Sequence, residues 1–348
     1  RSTGLAFDVA ELQRIEILRG PQGTLYGRNT TAGAIKLVTR RPEVQNFSFE
    51  QTLGAGNQDL FTSKTSLNVP LGDKYAAKFA YFYEDVEGFT DNNGPGGSWG
   101  DRESKGLRLD LRADLTADLD VDYSFDSSEI EYYNLAAQAV TPRESGDDLL
   151  AIIGTIVRDY IPYDNNRLGT LNTTMPLLPT DTNIEGHTVN AEWKISDSLS
   201  LRSISAYREL RDKSYIDFAS GSEEGFRIDF NSAVVGANAG EDRLDLAATR
   251  PDLDQQQWSQ EFQLFGDVGD SIQYLAGLYY FHEEAEEDIE PLHHIFSAFP
   301  LMDDTVYNLG GEFNEIENDT FALFTQATWT PDMLARRLHL TLGWRHSE

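Results

Sequence analysis

Leu107-Arg108-Leu109-Asp110-Leu111-Arg112-Ala113-Asp114-Leu115 decides the fold. Odd positions are apolar and even positions are charged. Successive side chains of a strand point to opposite faces, so this stretch reads as a strand with one apolar and one polar face. The same alternation continues on either side. Leu119, Val121, Tyr123 and Phe125 oppose Asp120, Asp122, Ser124 and Asp126. Tyr75, Ala77, Phe79, Tyr81 and Tyr83 form an earlier face, and Val189, Ala191, Trp193 and Ile195 a later one. Near the end, Phe321, Leu323, Thr325, Ala327 and Trp329 repeat the pattern, as do Leu338, Leu340, Leu342 and Trp344.

The connections alternate in length. Leu71-Gly72-Asp73, Thr116-Ala117-Asp118, Ser196-Asp197-Ser198, residues 266–270 and residues 331–336 read as short turns. Long polar insertions cover residues 88–103, 130–185, 210–255 and 284–317. Compact soluble domains rarely hold structureless loops beyond about 15 residues. Transmembrane barrels do, with short periplasmic turns and long extracellular loops. Tyr and Trp gather near strand ends (Tyr81, Tyr83, Trp193, Tyr207, Trp258, Tyr279, Tyr280, Trp329 and Trp344), as an interfacial aromatic girdle requires. The expected fold class is therefore all-β, an antiparallel transmembrane β-barrel with about eleven strands in this chain. Bacterial outer-membrane barrels have an even strand number and must close, so a continuation beyond Glu348 is expected.

Composition agrees. The 348 residues carry 28 Lys+Arg against 58 Asp+Glu, a formal net charge of −30. That excess argues against a nucleic-acid partner, because phosphate binding needs a basic footprint. Aromatic residues make up 11% of the chain, which argues against disorder. The absence of Cys excludes a disulfide framework, a thiolate metal site and a Cys nucleophile. No apolar run approaches the roughly 18–20 residues of a transmembrane helix. Arg1-Ser2-Thr3-Gly4-Leu5 has no apolar h-region and no cleavage site, and reads as a cut inside a longer protein.

The remaining candidates for chemistry are weak. In Glu283-Glu284-Ala285-Glu286-Glu287-Asp288-Ile289-Glu290-Pro291-Leu292-His293-His294 both His and carboxylates are metal-ligand types. The run lacks EF-hand spacing and a His-Glu-x-x-His pattern, so a charged, solvated extracellular loop is expected. Asn92-Asn93-Gly94-Pro95-Gly96-Gly97 lacks the Lys-Ser/Thr of a phosphate loop. No Gly-x-Ser-x-Gly stretch sits at a strand-to-helix turn, so no nucleophile elbow is read. No catalytic constellation, metal site or cofactor is expected, and the chain does not read as an enzyme. Tyr132, Tyr133, Tyr160, Tyr163, Phe226 and Phe296 in the long insertions would either grip a ligand or pack the loops together.

Residues 12–41 have a different rhythm. Ile15 and Ile17 alternate with Glu16 in a short strand, Gly20-Pro21-Gln22-Gly23 signals a turn, and Ala34, Ile35, Leu37 and Val38 form a second short strand ended by Arg40-Arg41-Pro42. Ile15-Glu16-Ile17-Leu18-Arg19-Gly20-Pro21-Gln22-Gly23-Thr24-Leu25-Tyr26-Gly27-Arg28-Asn29, followed by Ala32-Gly33-Ala34-Ile35-Lys36-Leu37-Val38-Thr39, closely resembles the end of the plug domain in TonB-dependent outer-membrane receptors. Trp258-Ser259-Gln260-Glu261-Phe262-Gln263-Leu264 resembles a mid-barrel strand of the same family.

The resemblance implies a barrel of about 22 strands filled by an N-terminal plug. It implies energised uptake of scarce nutrients such as ferric siderophores, cobalamin, haem or saccharides. The energy would come from the TonB energy-coupling complex through a TonB box upstream of Arg1. Residues 1–44 are then the C-terminal part of the plug, and residues 45–348 the N-terminal half of the barrel. The plug-motif residues are Arg19, Gly20, Pro21, Gly23, Tyr26, Gly27, Arg28 and Gly33, with the glycines setting turns against the barrel wall. Arg41 is expected to pair with Glu261, whose face with Ser259 and Gln263 points into the lumen, as plug arginines facing barrel glutamates do in the family. Expected partners are the TonB complex, outer-membrane lipid and lipopolysaccharide, and a small-molecule ligand, by default a ferric siderophore. The expected location is the outer membrane of a Gram-negative bacterium. A passive outer-membrane channel or surface adhesin barrel is the alternative, and the plug-like stretch from Arg19 to Thr39 separates the two. A soluble secreted β-protein or carbohydrate-active enzyme is the third reading; it would not need detergent.

Overall fold

A computed structural model of the chain describes residues 12–27, 30–136, 169–171, 177–217, 243–296 and 311–348. The first two strands, β1 (Leu12–Arg19) and β2 (Gly33–Thr39), form an antiparallel hairpin of their own, with Ile17 opposite Ile35 and Ile15 opposite Leu37. Between them Gly23–Tyr26 makes one helical turn, α1.

The second sheet contains β3 (Ser48–Ala55), β4 (Phe61–Pro70), β5 (Tyr75–Val86), β6 (Arg102–Asp114) and β7 (Leu119–Tyr132). It continues with β8 (Thr180–Ser196), β9 (Leu199–Lys213), the two-residue β10 (Ile216–Asp217) and β11 (Arg243–Val268). It ends with β12 (Ile272–Phe296), β13 (Glu312–Trp329) and β14 (Leu340–Ser347). Eleven of these strands lie side by side in chain order, all antiparallel, and β10 attaches to β11 beside them. Sequence neighbours pair whether a short turn or a long connection joins them, as in an up-and-down meander. Among the described residues no helix is long and apolar enough to cross a membrane.

The register assigns the two faces. Leu67, Phe79, Leu109, Phe125, His187, Tyr207, Trp258 and His282 stand opposite one another on consecutive strands. One residue along, Asn68, Lys78, Asp110, Ser124 and Thr188 do the same on the other face. The plug turn α1 lies against that polar face, beside Glu261, Tyr279 and Arg345. The polar face is therefore the lumen and the apolar face looks outward. Phe79, Phe262, Leu278, Leu323 and Leu342 are exposed on the outward face. So continuous an apolar surface belongs in lipid.

The outward apolar stretch of β12 runs from Ile272 to His282. At about 3.3 Å per residue and a tilt near 40°, its height is about 25 Å, which matches a bilayer core. Trp193 and Trp329 mark its lower rim, and Tyr207, Trp258 and Tyr280 its upper one. Tyr279 is a correction to the expected girdle: it lies on the lumenal face and lines the cavity beside Tyr26.

The expected loop boundaries also need correction. β11 begins at Arg243, β12 runs to Phe296 and β13 begins at Glu312, so much of the polar sequence outside the bilayer is strand. The acidic run is paired backbone rather than loop, with Glu286 opposite both Asp254 and Glu315. Beyond the membrane both faces of a ribbon meet water, so the apolar alternation fades while the ladder of hydrogen bonds continues.

Packing on the lumenal face is close in places. Phe324 is 1% exposed, and a Cβ added at Gly277 would lie 2.2 Å from its ring. Gly277→Ala is expected to cost about 1–3 kcal/mol by overpacking, read as a lower urea midpoint for the folded barrel. An unchanged midpoint would mean that the ring does not rest on this glycine.

Candidate plug seat and lumen

The plug motif folds as a hairpin tip. Arg19 ends β1 opposite Gly33. Gly20 and Pro21 turn the chain out of the strand, Gly23 opens α1 and Tyr26 closes it. The turn is held by the Tyr26 N–H donating to the Gln22 carbonyl and the Gly27 N–H to the Gly23 carbonyl. Two glycines are needed for geometric reasons. Gly27 has φ +77°, and a Cβ there would meet the Arg345 guanidinium at 3.3 Å. At Gly33, with φ +151°, a Cβ would strike the Leu18 carbonyl oxygen at 2.3 Å. Arg28 lies outside the described residues.

Tyr26, Leu25 and Gly27 line one side of a cavity of about 520 Å³; Glu261, Tyr279, Phe281 and Arg345 line the other. The Arg345 guanidinium stacks over Phe324 at 5.3 Å and Tyr279 at 5.9 Å, so aromatic faces hold its charge. Glu261 accepts a hydrogen bond from Gln263 Nε2 at 2.5 Å. Glu261 thus faces the plug turn from the lumenal wall.

The structure does not bring Arg41 to Glu261. Arg41 Nε lies 2.9 Å from Asp122 Oδ1, and Arg41 Nη2 contacts Asp120. The reason is position around the wall. Asp122, Asn190, Ile204 and Glu261 form one row of register partners, so Glu261 lies three strands, about 14 Å, away from the β7 carboxylates that Arg41 reaches. Burial works against the Arg41 charge, but hydrogen bonds and the fields of Asp122 and Asp120 outweigh it and raise its pKa. A double-mutant cycle between Arg41→Ala and Asp122→Ala in the folded receptor should show coupling of about 1 kcal/mol, since the pair is partly solvated. The same cycle with Glu261→Ala should be additive. Coupling to Glu261 instead of Asp122 would contradict the geometry.

Other lumenal charges on the wall are matched to one another. Arg108 donates to both oxygens of Asp110, which also accepts from Ser124. Arg208 donates to Asp126, Arg112 to Asp114, and Arg202 to Glu192 and Gln263. Arg108–Asp110 and Arg112–Asp114 pair along one strand, Arg202–Glu192 across neighbouring strands and Arg208–Asp126 over the intervening Gly186, which keeps partly desolvated charges compensated.

On the extracellular side the long connections share a small core. Trp99 is 2% exposed and packs with Leu171, Leu177 and Tyr215; Tyr133 and Leu178 close around them. Trp99 Nε1 donates to the Leu171 carbonyl at 2.9 Å. Tyr133 therefore packs the loops together, which resolves one of the two readings that the sequence left open. Burial, then the charges of Glu131, Asp101 and Asp181, push its phenol pKa up. Tyr132 ends β7. Tyr160, Tyr163, Phe226 and the side chain of Phe296 lie outside the described residues. Trp99 was missed by sequence reading, because its neighbours Gly96, Gly97, Ser98 and Gly100 resemble an unstructured tip.

His282, Asp319 and Glu317 form a grouping of metal-ligand type at the outer rim of the apolar belt. Both ring nitrogens of His282 are already engaged, Nδ1 with Asp319 at 3.0 Å and Nε2 with Glu284 at 3.1 Å.

An apolar outer face, aromatic rims, a polar inner face and a separate element seated on that inner face define an outer-membrane β-barrel with a plug. No family model matches the chain. The metal-pseudopaline receptor CntO of Pseudomonas aeruginosa is 38% identical over 88 residues, covering 24% of this chain and 12% of that protein. The vitamin B12 transporter BtuB of Vibrio vulnificus is 32% identical over 89 residues, covering 25% of this chain and 14% of that protein. Among solved structures, the ferric yersiniabactin uptake receptor FyuA from Yersinia pestis superposes with a TM-score of 0.67 at 15% identity, covering 97% of this chain and 48% of that one. The ferripyoverdine receptor of Pseudomonas aeruginosa superposes with a TM-score of 0.69 at 14% identity, covering 97% of this chain and 42% of that one. The chain thus spans less than half the length of these structures. It resembles the TonB-dependent receptors in sequence and has their fold. Its place is the outer membrane of a Gram-negative bacterium. The proteins it is similar to are receptors and transporters by name, not enzymes.

Proposed function

We propose that the chain is part of a TonB-dependent receptor that takes up a scarce nutrient across the outer membrane, with a ferric siderophore as the ligand class. The observation that carries this reading is the plug turn α1 seated on the lumenal wall, with Gly27 against Arg345 and Thr24 against Gly343. A passive channel has no use for an element that fills its lumen, so the channel and adhesin alternatives are not favoured. The siderophore class is supported by the names of similar structures, among them a ferric yersiniabactin uptake receptor and a ferric preacinetobactin receptor. On this reading residues 1–44 belong to the plug and residues 45–348 to the barrel. Arg19, Gly20, Pro21, Gly23, Tyr26, Gly27, Arg28 and Gly33 are the plug-motif residues on this reading. The partners are the TonB complex, acting through a TonB box, a small iron-chelate ligand, and the lipid and lipopolysaccharide around the barrel.

The test is uptake of radioactive iron by iron-starved cells, offered a panel of ferric siderophores. Accumulation of one chelate should need both this receptor and an energised TonB complex. Uptake that persists without TonB would favour a passive channel.

A further inference from the structure

The linker between the plug hairpin and β3 is fastened to the wall at three places. Asn68, on the lumenal face of β4 and 3% exposed, devotes its whole amide to it. Its Oδ1 accepts from the Glu43 backbone N–H at 3.0 Å, and its Nδ2 donates to the carbonyls of Glu43 at 2.9 Å and Asn46 at 2.6 Å. One side chain thereby meets both backbone groups of Glu43, as a neighbouring strand would. Arg112 reaches the Pro42 carbonyl at 3.3 Å while holding Asp114. Arg41 is held by Asp120 and Asp122. Pro42 itself is buried. The contacts of α1 with the wall are of another kind: Thr24 lies against the backbone of Gly343, and Arg345 lies flat along Gly27. A buried, fully used amide is costly to release, whereas packing contacts at an open cavity slide.

We propose that residues 41–46 are a fixed anchor set by Asn68, so that motion of the plug stops at Arg41 and the linker stays on the wall throughout uptake. Asn68 is a positioning residue for the plug. The inference rests on the receptor reading for the motion, but not for the anchor.

The chain contains no Cys, so an introduced thiol is the only one in it. Gln22→Cys and Val44→Cys place half-buried thiols on the plug tip and the linker. Each is exposed, in the full receptor, to a membrane-impermeant maleimide, in isolated outer membranes for the comparison without energy and in whole cells for the energised one. Without energy, Asn68→Leu should raise labelling at Val44→Cys about tenfold or more, and Arg41→Gln by a smaller factor, while the barrel keeps its heat-modifiable migration on gels. With energised TonB and ligand, labelling at Gln22→Cys should rise and labelling at Val44→Cys should not. Unchanged labelling of Val44→Cys in both variants would overturn the anchor. So would a rise at Val44→Cys that accompanies Gln22→Cys on energisation. If energy changes neither position, the receptor reading fails, and the comparison made without energy still decides the anchor.

Discussion

Leu278→Arg is expected to destabilise the barrel in lipid by about 2–4 kcal/mol, the cost of an arginine at the bilayer midplane. Leu278 sits halfway along the apolar stretch of β12, between Phe262 on β11 and Leu323 on β13. All three side chains are exposed on the outward face. A guanidinium there meets acyl chains and has no carboxylate within reach. Gln263→Arg is the matched control. It adds the same group one strand away on the lumenal face, next to Glu261. Refolding from urea into vesicles, followed by tryptophan fluorescence, should give a much lower midpoint for Leu278→Arg than for Gln263→Arg. Equal costs would mean that the two faces are wrongly assigned.

Trp99→Ala should loosen the extracellular connections as one unit. The side chain is almost wholly buried, and truncating such a tryptophan typically costs about 3–5 kcal/mol. Its partners Leu171 and Leu177 come from the connection after β7, and Tyr215 from the one after β9. Limited proteolysis should therefore reveal new cuts in the segments around Gly88, Leu177 and Tyr215 together, while the membrane-embedded strands stay resistant. Trp99→Phe keeps most of the packing and loses only the bond to the Leu171 carbonyl, so it should cost about 1 kcal/mol. Cuts confined to the segment carrying Trp99 would show that the loops are independent.

The legibility of this chain follows the solvent around it. Inside the bilayer one face must be apolar, so Leu107 to Leu115 announces both its strand and its orientation. The plug hairpin was readable because Gly20-Pro21 and the flanking apolar alternation are local signals. Outside the bilayer that constraint disappears, and the acidic continuation of β12 read as loop although it is paired on both sides. The partner of Arg41 was beyond reach for a different reason. Sequence can say that Glu261 and Asp122 both face the lumen, but not which strand of the wall the linker crosses. Asn68 carried no signal at all: an inward polar residue of a barrel strand looks the same whether it meets water or holds a linker. Trp99 was equally silent, since its burial depends on three connections that are distant in the chain.

β12 crosses the lipid bilayer with alternate residues facing lipid and lumen. The most direct measurement is a spin-label scan of single cysteines from Gln273 to Phe281 in the full receptor, reconstituted in vesicles, recording collision with oxygen and with a water-soluble nickel chelate. A strand facing lipid on one side gives a period of two, with Tyr274, Ala276, Leu278 and Tyr280 accessible to oxygen and Gln273, Leu275, Gly277, Tyr279 and Phe281 shielded from it. Equal access of the nickel chelate to both sets, with no alternation, would contradict a membrane barrel.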